Sequence, residues 1–487
     1  MLRTSHNLRT DTGATLLLML LATALAPAPA PAQAPVQLAE AVTRYVSVNA
    51  PVVAIANVLV IDGTGGAAKP GHTVVIRDGR IEAVGPAAKV AAPAGATIID
   101  GTGHTLIPGL IGLHDHLYYS ASGGRSLQMS FTGPRLYLAG GVTTVRTTGS
   151  QSPYADMNLK RNVDAGRVPG PRIFVTTPYL TGAGGGGAMH VVTTPEEARR
   201  FVAYWAEEGA AWIKFYASIS REAMKAAIDE GHKHGMRATG HLCSVTFREA
   251  VDLGIDDLAH GALTATDFHP RKEPDKCPND AYAAVDTAVS AEGPVATSLI
   301  DHMVKHKVSM TTTMAVFELF YPGRSVTDER VLDLMAPEVR TAYVAERAHI
   351  DSMSSWPLQE AGFKRALAFD KAFYDAGGVL ASGVDPTGNG GALPGFGDQR
   401  GYELLREGGF GTEQAVQVVT LNGARVLGVA DQWGSIEKGK KADLVLLKGD
   451  LTAETLVIRN PVTVFKDGVG YDSGKLIDAV RGRVGIN

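Results

Sequence analysis

The sequence predicts an α/β protein in which a (β/α)8 barrel of the TIM type carries a smaller, composite β-sandwich domain built from both ends of the chain. Three observations predict this architecture. Short apolar strands alternate with helical segments through the middle of the sequence, whereas short strands separated by turn residues occupy both ends. The length of 487 residues leaves room for one large and one smaller domain.

The two ends of the chain predict the smaller domain. Residues 53–61, 73–77 and 81–84 are short runs rich in Val and Ile, separated by Asp-Gly and Gly-Gly turns that are typical of antiparallel hairpins. Residues 434–447 and 461–468 repeat this pattern, so we expect strands from both termini to meet in one β-domain. The predicted bounds are 33–108 and 431–487 for the two parts of that domain, and 109–430 for the barrel.

The central segment predicts the barrel because strands and helices alternate along it. One intervening helix begins near Ser220, has apolar residues at i, i+3, i+4 and i+7 from Met224 to Gly231, and ends at Gly235. Two long connections, 262–300 and 317–360, are expected to lie over the mouth of the barrel. The predicted strands are one that ends at His116, then 141–149, 172–178, 212–217, 237–242, 257–261, 308–316 and 379–386.

The start of the sequence predicts export. Arg3 and Arg9 precede an apolar stretch, residues 14–25, that is too short to span a bilayer comfortably, and small residues follow, with Ala30-Pro-Ala32 as a cleavage site. This order is typical of a secretory signal peptide, here residues 1–32. We therefore expect a periplasmic or secreted protein of bacterial type.

Composition narrows the function classes. A formal net charge of −4, with no dense run of Lys and Arg, gives no electrostatic basis for binding nucleic acid or an anionic membrane. We therefore expect a small-molecule substrate, no nucleic acid and no stable membrane insertion, while a homo-oligomer stays open. The only cysteines, Cys243 and Cys277, exclude a disulfide framework but leave a single bond open. As Cys243 alternates with His241, we expect it to be a small buried filler or a residue behind the site.

The most informative motif is His114-Asp115-His116, at the end of the apolar run 106–113. Residues i and i+2 of a strand share a face, so both imidazoles can converge on one metal ion while Asp115 turns away. Functional side chains of such barrels lie where strands end at the C-terminal face. The polar residues that end other predicted strands are Lys214, His241, His260 and Asp385. Imidazole and carboxylate groups favour zinc, although manganese or cobalt could occupy the same ligands.

Lys214 fits this set only in a modified form. A protonated lysine repels a metal, whereas a deprotonated one can take up carbon dioxide, and the resulting carbamate has two oxygens that can bridge two cations. Considered alone, Lys214 is more simply explained as a surface or salt-bridged lysine. Two divalent metal ions, with zinc favoured, and a carboxylated Lys214 are the cofactors expected if the lysine is a ligand, as the family resemblance described next implies.

At this point the chain resembles the amidohydrolase superfamily. The motifs PGLIGLHDH, WIKFY, ATGHL, LAHG and SGVDP occur in that family's order, and VIDGTG near residue 60 and GSIEKGKKADLV at 434–445 are similar to its β-sandwich arms. The resemblance covers residues 50–487. It implies His114 and His116 on the more buried metal, a bridging carboxylated Lys214, and His241 and His260 on the second metal. It also implies that Asp385 is a ligand and a proton carrier.

The lysine favours the two-metal branch, which is similar to imidazolonepropionases and Xaa-Pro dipeptidases. Two departures leave dipeptide specificity open: Arg146 is followed by Thr147, and Tyr216 lies in a Lys-Phe-Tyr-Ala-Ser context. The resemblance implies an exported hydrolase of amide or peptide bonds, of the dipeptide or N-acyl amino acid type. Two metal ions would lower the pKa of a bridging water, and Asp385 would carry its proton to the leaving amine. The alternatives are a hydrolase of a lactone, carbamate or cyclic amide, a single-metal deaminase, and a non-catalytic binding protein.

Several residues after strand ends are candidate substrate contacts, although packing or a local hydrogen bond would explain each of them. Arg146 suits an anionic group best because its guanidinium is forked. The others are His190, Tyr216, Tyr119 and Tyr118. Residues 182–187 match G-x-G-x-x-G, but a dinucleotide site needs a helix that opens directly on the loop, and here we expect the helix only from Pro195. We expect this segment to be a loop over the site.

Overall fold

A computed structural model describes residues 37–324, 328–353 and 355–486. The predicted signal peptide, residues 1–32, lies outside the described residues. Among the helices that are described, none combines the length and the apolar character needed to cross a membrane.

The described chain begins with a short helix and a run of strands, and then alternates strands and helices. The strands are β1 Val46–Val48, β2 Val52–Val60, β3 Lys69–Arg77, β4 Arg80–Pro86, β5 Thr97–Asp100, β6 His104–Pro108, β7 Leu110–Asp115, β8 Tyr118–Ala121, β9 Arg125–Gln128, β10 Val142–Thr147, β11 Arg172–Phe174, β12 Thr176–Thr181, β13 His190–Val191, β14 Trp212–Phe215, β15 Arg237–Gly240, β16 Asp257–Ala259, β17 Ser309–Thr312, β18 Leu380–Ser382, β19 Leu444–Lys448, β20 Pro461–Lys466 and β21 Val469–Asp472.

The helices mostly follow individual strands of the central segment. They are α1 Glu40–Thr43, α2 Thr132–Ala139, α3 Pro153–Asp164, α4 Pro195–Glu207, α5 Arg221–Lys233, α6 Phe247–Leu253, α7 Ala281–Ala288, α8 Pro294–Lys305, α9 Met314–Glu318, α10 Glu329–Leu332, α11 Pro337–Ser352, α12 Glu360–Asp375, α13 Phe396–Glu407, α14 Thr412–Gln417, α15 Gly423–Leu427 and α16 Ser473–Asp478. Short 3-10 turns at Gly261–Thr264, Thr266–Phe268 and Thr455–Arg459 and a π-helical turn at Val418–Asn422 accompany them.

Strands from both ends of the chain share one nine-stranded sheet. Its order is β1-β21-β20-β19-β6-β2-β3-β4, with β5 paired to β2. The two ends join where β6 and β19 run antiparallel, with Leu106 opposite Leu446. One face is apolar and closed to solvent, and Val74, Leu444 and Phe465 on it have no exposed surface. The alternating patterns at the two ends of the sequence thus lead to one sheet, as expected.

The strands between the two halves of that sheet are parallel, apart from the antiparallel pair β8 and β9. They pair in the order β7-β10-β11 and β13-β12-β14-β15-β16-β17-β18. Only Val175 separates β11 from β12, and the Asp385 amide, just after β18, donates a hydrogen bond to the His114 carbonyl on β7 at 2.7 Å. This order is the one that the predicted (β/α)8 barrel requires.

Every predicted central strand contains an observed parallel strand, but two predictions need correction. The predicted strand 172–178 is two strands, β11 and β12, that pair with different neighbours. The predicted strand 308–316 ends at Thr312, because the chain turns at Thr313 and α9 begins at Met314. An apolar run cannot be divided between strand and helix from its periodicity alone when it is this short.

The helices are set by local signals. Ser220 caps α5, since its hydroxyl accepts a hydrogen bond from the Ala223 amide at 3.3 Å, and Gly235, with φ 73°, follows its end. Both ends agree with the predicted helix. Thr194 and Glu197 form a capping box at the start of α4, where the sequence predicted a helix from Pro195. Residues 188–193 therefore separate the glycine-rich loop from α4, and the loop is not a dinucleotide site.

Candidate metal centre

The first two predicted ligands lie where β7 ends. His114 and His116 are both 2% exposed, and the centroids of their rings are 5.6 Å apart. Asp115 points the other way, and its Oδ1 accepts a hydrogen bond from the Val384 amide at 3.1 Å. The two-residue period of a strand therefore places both imidazoles on one side, as expected.

Asp385 follows β18 and turns its carboxylate onto these histidines. Its Oδ1 is 3.1 Å from His116 Nε2, and its Oδ2 is 3.6 Å from His114 Nε2 and 3.7 Å from His260 Nδ1. The backbones of Asp385 and His260 are left-handed, with φ 49° and 78°. That conformation costs a residue with a side chain roughly 1–2 kcal/mol, so the surrounding fold must hold both residues in place. Strain of this kind is typical of functional sites.

His260 closes the group from the opposite side. Its ring centroid lies 4.2 Å from that of His114 and 4.3 Å from that of His241. One side-chain atom from each of His114, His260 and Asp385 lies within 4.8 Å of the others, which is close enough to share a metal ion. His116 and His241 flank these three residues.

Lys214 lies on β14 with no exposed surface, and no described residue accepts a hydrogen bond from its Nζ. A charged amine in such a place is costly. Burial accordingly lowers the pKa of Lys214 to about 7. A fraction of this amine is therefore neutral near pH 7, and a neutral amine is the form that can react with carbon dioxide.

The electrostatics of the cluster suit metal binding. Burial, together with the charge of Lys214, lowers the pKa values of His114 and His241, so these imidazoles are neutral with a free lone pair. Burial and the neighbouring His241 and Lys214 do the same for His260. Burial acts to raise the pKa of the Asp385 carboxyl, but the hydrogen bond from His116 and the nearby charges outweigh it and lower the pKa. Neutral imidazoles around an ionised carboxylate are a donor set for divalent cations.

Neighbouring groups orient two of the rings. His116 Nδ1 lies 3.1 Å from the Gly149 carbonyl, and its Nε2 faces the Asp385 carboxylate. His260 Nδ1 is 2.9 Å from the Thr313 hydroxyl, and its buried Nε2 has no partner among the described residues. Metal-binding histidines are commonly fixed in this way through the nitrogen that does not bind the metal.

Residues 105–470, most of the chain, match the amidohydrolase family. The chain belongs to the amidohydrolase family. A comparison with curated proteins found no match. The resemblance expected from the sequence is confirmed, and so is the predicted enzyme class, a hydrolase of carbon–nitrogen amide bonds.

Solved structures share the fold of this amidohydrolase. A proposed prolidase from Bifidobacterium longum is 25% identical with a TM-score of 0.63, and the alignment covers 88% of this chain and 98% of that one. A Xaa-Pro dipeptidase with methionine bound in its active site is 21% identical with a TM-score of 0.63, covering 86% and 100%. A bottromycin amidohydrolase is 19% identical with a TM-score of 0.67, covering 90% and 91%.

The structure does not place Arg146 as a substrate contact. Its side chain has no exposed surface, pairs with Asp257 at 2.7 Å and donates to the Leu113 carbonyl at 2.8 Å. The guanidinium carbon lies 4.4 Å from the centre of the Trp212 ring. The prediction was wrong because Arg146 points into the protein between the strands, where its charge supports the segment that carries His114.

His190 and Tyr119 also point away from the cluster. His190 begins β13, and its ring stacks on Phe201 of α4 with the ring centroids 4.6 Å apart. Tyr119 is 1% exposed, and its hydroxyl donates to the Gly390 carbonyl at 2.6 Å. Each side chain therefore has a structural partner, and its contact with substrate stays a prediction. Tyr216, in contrast, lies beside the site, with its ring 4.8 Å from that of His241.

Sequence reasoning missed or underrated four aromatic residues around the cluster. Tyr118 lies 4.6 Å from His116 between ring centroids, and the two-residue period that relates His114 to His116 could have favoured it over Tyr119. Tyr179 lies 6.2 Å from His116. Tyr282 and Phe317, from the two long connections, reach the cluster without any periodic signal in the sequence.

The two cysteines form a disulfide, with Cα atoms 4.9 Å apart. The bond fastens the chain just after His241 to the connection that carries Tyr282. Cys243 is buried, as expected, and its sulfur is covalently paired as well. Sequence spacing left this bond open because 34 positions separate its partners.

Proposed function

We propose that this amidohydrolase cleaves an amide or peptide bond with two divalent metal ions held by His114, His116, His241, His260 and Asp385. The observation that carries the proposal is Lys214, a fully buried amine with no partner among the described residues, in the midst of these groups. A carbamate on Lys214 would turn this otherwise unfavourable amine into a bridging ligand. Zinc is the favoured metal for this donor set.

Bound divalent ions supply a water of lowered pKa and polarise a carbonyl group. The protein's own contribution is to move the proton. Asp385 takes a proton from the attacking water while the water oxygen bonds to the carbonyl carbon. Asp385 then gives this proton to the amide nitrogen as the carbon–nitrogen bond breaks. Its lowered pKa keeps the carboxylate ionised before attack, which is the form that the first of these steps requires.

Tyr216 is the residue best placed to contact the substrate. It adjoins His241, and no hydrogen bond from the described residues engages its hydroxyl, which is therefore free to donate to a substrate carbonyl. Two sequence-based expectations join the proposal: the parallel strands close as a (β/α)8 barrel with the site at their carboxyl ends, and the nine-stranded sheet belongs to a composite sandwich. The order of the parallel strands and the contact between Asp385 and β7 support the barrel, and the sheet shared by both ends of the chain supports the composite domain.

Export is also part of the proposal. A disulfide persists in oxidising compartments and is rare in the bacterial cytosol. The Cys243–Cys277 bond therefore supports the signal-peptide interpretation of residues 1–32. Mass spectrometry of the protein recovered from the periplasm and the medium tests it, with a mature amino terminus near residue 33 as the expected result.

The test of activity is a hydrolase panel on metal-loaded protein, comprising dipeptides, N-acyl amino acids, simple amides, lactones and a deamination assay. We expect amide cleavage, and we expect Asp385→Asn to lower kcat by about 10²- to 10⁴-fold while metal content largely survives. Asp62→Asn is the matched control, since Asp62 is also buried but pairs with Lys69 beside the nine-stranded sheet. Near-normal turnover by Asp385→Asn would contradict the proposed role, and activity confined to lactones or ammonia release would contradict the reaction class.

A further inference from the structure

A continuous belt of aromatic side chains borders the metal centre. We call Tyr118, Tyr179, Tyr216, Tyr282 and Phe317 the aromatic rim. Ring centroids are 5.4 Å apart for Tyr179 and Tyr216 and 6.3 Å apart for Tyr282 and Phe317, and the Tyr118 and Tyr179 hydroxyls hydrogen-bond to each other. The rim meets the predicted ligands at His116, His241 and His260. Tyr118 and Tyr179 are each 5% exposed, so the ring surface open to a substrate belongs to Tyr216, Tyr282 and Phe317.

The rim offers ring surface more than hydrogen-bond donors. The hydroxyls of Tyr118 and Tyr179 engage each other, and that of Tyr282 lies 2.7 Å from His241 Nε2. Only the hydroxyl of Tyr216 has no such partner among the described residues. Flat apolar groups stack on surfaces of this kind at ring distances of about 4.5–7 Å.

Tyr282 is delivered to the rim by residues 262–282, which we call the strap. The Cys243–Cys277 disulfide ties the strap to the chain end of β15, two residues after His241. Tyr282 is 47% exposed, so its ring faces solvent as well as the site. The strap thus holds an aromatic ring at the entrance by a covalent bond and by the contact with His241.

The charged groups of the strap are all engaged elsewhere. Arg271 and His269 pair with Asp280, and Lys276 pairs with Glu273. Lys272 donates to the backbone carbonyls of Ser244 and Glu273, at 2.6 and 2.5 Å.

The remaining two acids of the strap are also occupied. Asp275 pairs with Arg221 at 3.0 Å, and Asp267 accepts hydrogen bonds from the amides of Phe247 and Arg248. Arg146, beneath the site, is held by Asp257. Each charged side chain of the described strap therefore already has an ion-pair or hydrogen-bond partner within the protein.

We propose that the aromatic rim is a binding subsite for an uncharged aromatic ring on one side of the scissile amide, so that the substrates are neutral aryl amides rather than free-carboxylate dipeptides. This inference rests on the proposed amide hydrolysis. The phenol and phenyl faces supply stacking area beside the reacting centre, and the engaged charges of the strap give a terminal carboxylate no partner there.

Matched substrates test the proposal on metal-loaded protein. Acetanilide and N-methylbenzamide are compared with their para-carboxylate and para-aminomethyl derivatives and with N-methylacetamide. We expect kcat/KM for at least one neutral aryl amide to exceed that of its charged derivatives by about tenfold or more, because one stacked ring pair is worth about this factor. Equal or better cleavage of the charged derivatives or of N-methylacetamide overturns the subsite and leaves the proposed function standing.

A binding measurement keeps the subsite testable if no amide is cleaved, an outcome that would contradict the proposed function. Calorimetry compares aniline with 4-aminobenzoate, and benzamide with 4-carbamoylbenzoate. The subsite predicts tighter binding of the neutral compound in at least one pair, and equal affinities in both pairs overturn it.

Variants locate the subsite. Tyr282→Ala should remove most of the preference for the neutral ring, whereas Tyr282→Phe should keep it because the ring remains. Tyr204→Ala is the matched control, since Tyr204 is also 47% exposed but lies on α4 beside Tyr154. A preference that is unchanged in Tyr282→Ala, or lost equally in Tyr204→Ala, contradicts the assignment of this ring to the subsite.

Discussion

Removing Arg146 should destabilise the protein without specifically weakening the binding of anionic substrates. Arg146→Met deletes the bond to Asp257 at 2.7 Å and the bond to the Leu113 carbonyl at 2.8 Å. Breaking a buried ion pair from one side costs about 3–5 kcal/mol. In the Arg146→Met variant the hydroxyls of Ser309 and Thr311 still donate to Asp257, at 2.9 to 3.0 Å. We therefore expect the free energy of unfolding to fall by an amount at the lower end of this range, about 3 kcal/mol.

The partner substitution should cost more. Asp257→Asn leaves a guanidinium with no exposed surface and no opposing charge, so we expect a loss near the upper end, about 5 kcal/mol. Combining both substitutions should cost less than their sum by roughly 2–3 kcal/mol, because each single variant already breaks the same pair. Arg199→Met, which removes an exposed pair with Glu196, is the control and should leave the stability unchanged.

The assay is urea unfolding followed by tryptophan fluorescence, for which Trp212 is a local reporter because Arg146 lies over its ring at 4.4 Å. KM is measured in parallel for substrates with and without a carboxylate. The reasoning fails if Arg146→Met unfolds like the wild type and raises KM only for the carboxylate-bearing substrates. That result would restore Arg146 as a substrate contact.

Three further outcomes follow from the same geometry. Lys214→Met should fold at least as stably as the wild type because it removes a buried unpaired amine, but elemental analysis should show that bound metal is lost. Lys466→Met, which replaces a lysine on β20 of the nine-stranded sheet, is the control and should keep its metal; equal metal content in both variants would exclude Lys214 as a ligand. Tyr216→Phe should lower kcat/KM by about tenfold, which corresponds to the loss of one hydrogen bond to the substrate. Tyr119→Phe should leave kcat/KM unchanged because the Tyr119 hydroxyl donates to the Gly390 carbonyl, and a larger loss in Tyr119→Phe than in Tyr216→Phe would contradict both placements. Cys277→Ser should raise KM through a loosened strap while the thermal unfolding midpoint falls by only a few degrees, and an unchanged KM would show that the disulfide does not position Tyr282.

The parts of the site that depend on strand periodicity could be predicted from the sequence. His114 and His116 share a strand face because side chains alternate, and His260 and Asp385 follow strand ends that apolar runs mark. The same alternation favours Tyr118 over Tyr119. Strand alternation and the positions of strand ends therefore suffice to predict a site residue when its position depends only on its neighbours in the sequence.

The parts that depend on distant partners could not be predicted. Arg146 ends a strand like the ligands, but Asp257, 111 positions later, determines its role. His190 follows a strand as well, and the packing of its ring on α4 takes it away from the site. Tyr282 and Phe317 come from long connections whose course depends on the disulfide and on tertiary contacts.

The measurement that tests the central claim most directly is the metal content of the wild type and of His260→Asn, purified without chelator and assayed for amide cleavage. Asparagine tolerates the left-handed backbone at this position, so the variant should fold. The account predicts about two equivalents of divalent metal per chain in the wild type, and loss of metal and activity together in the variant. Full amide cleavage by wild-type protein that holds no metal after exhaustive chelation would contradict it.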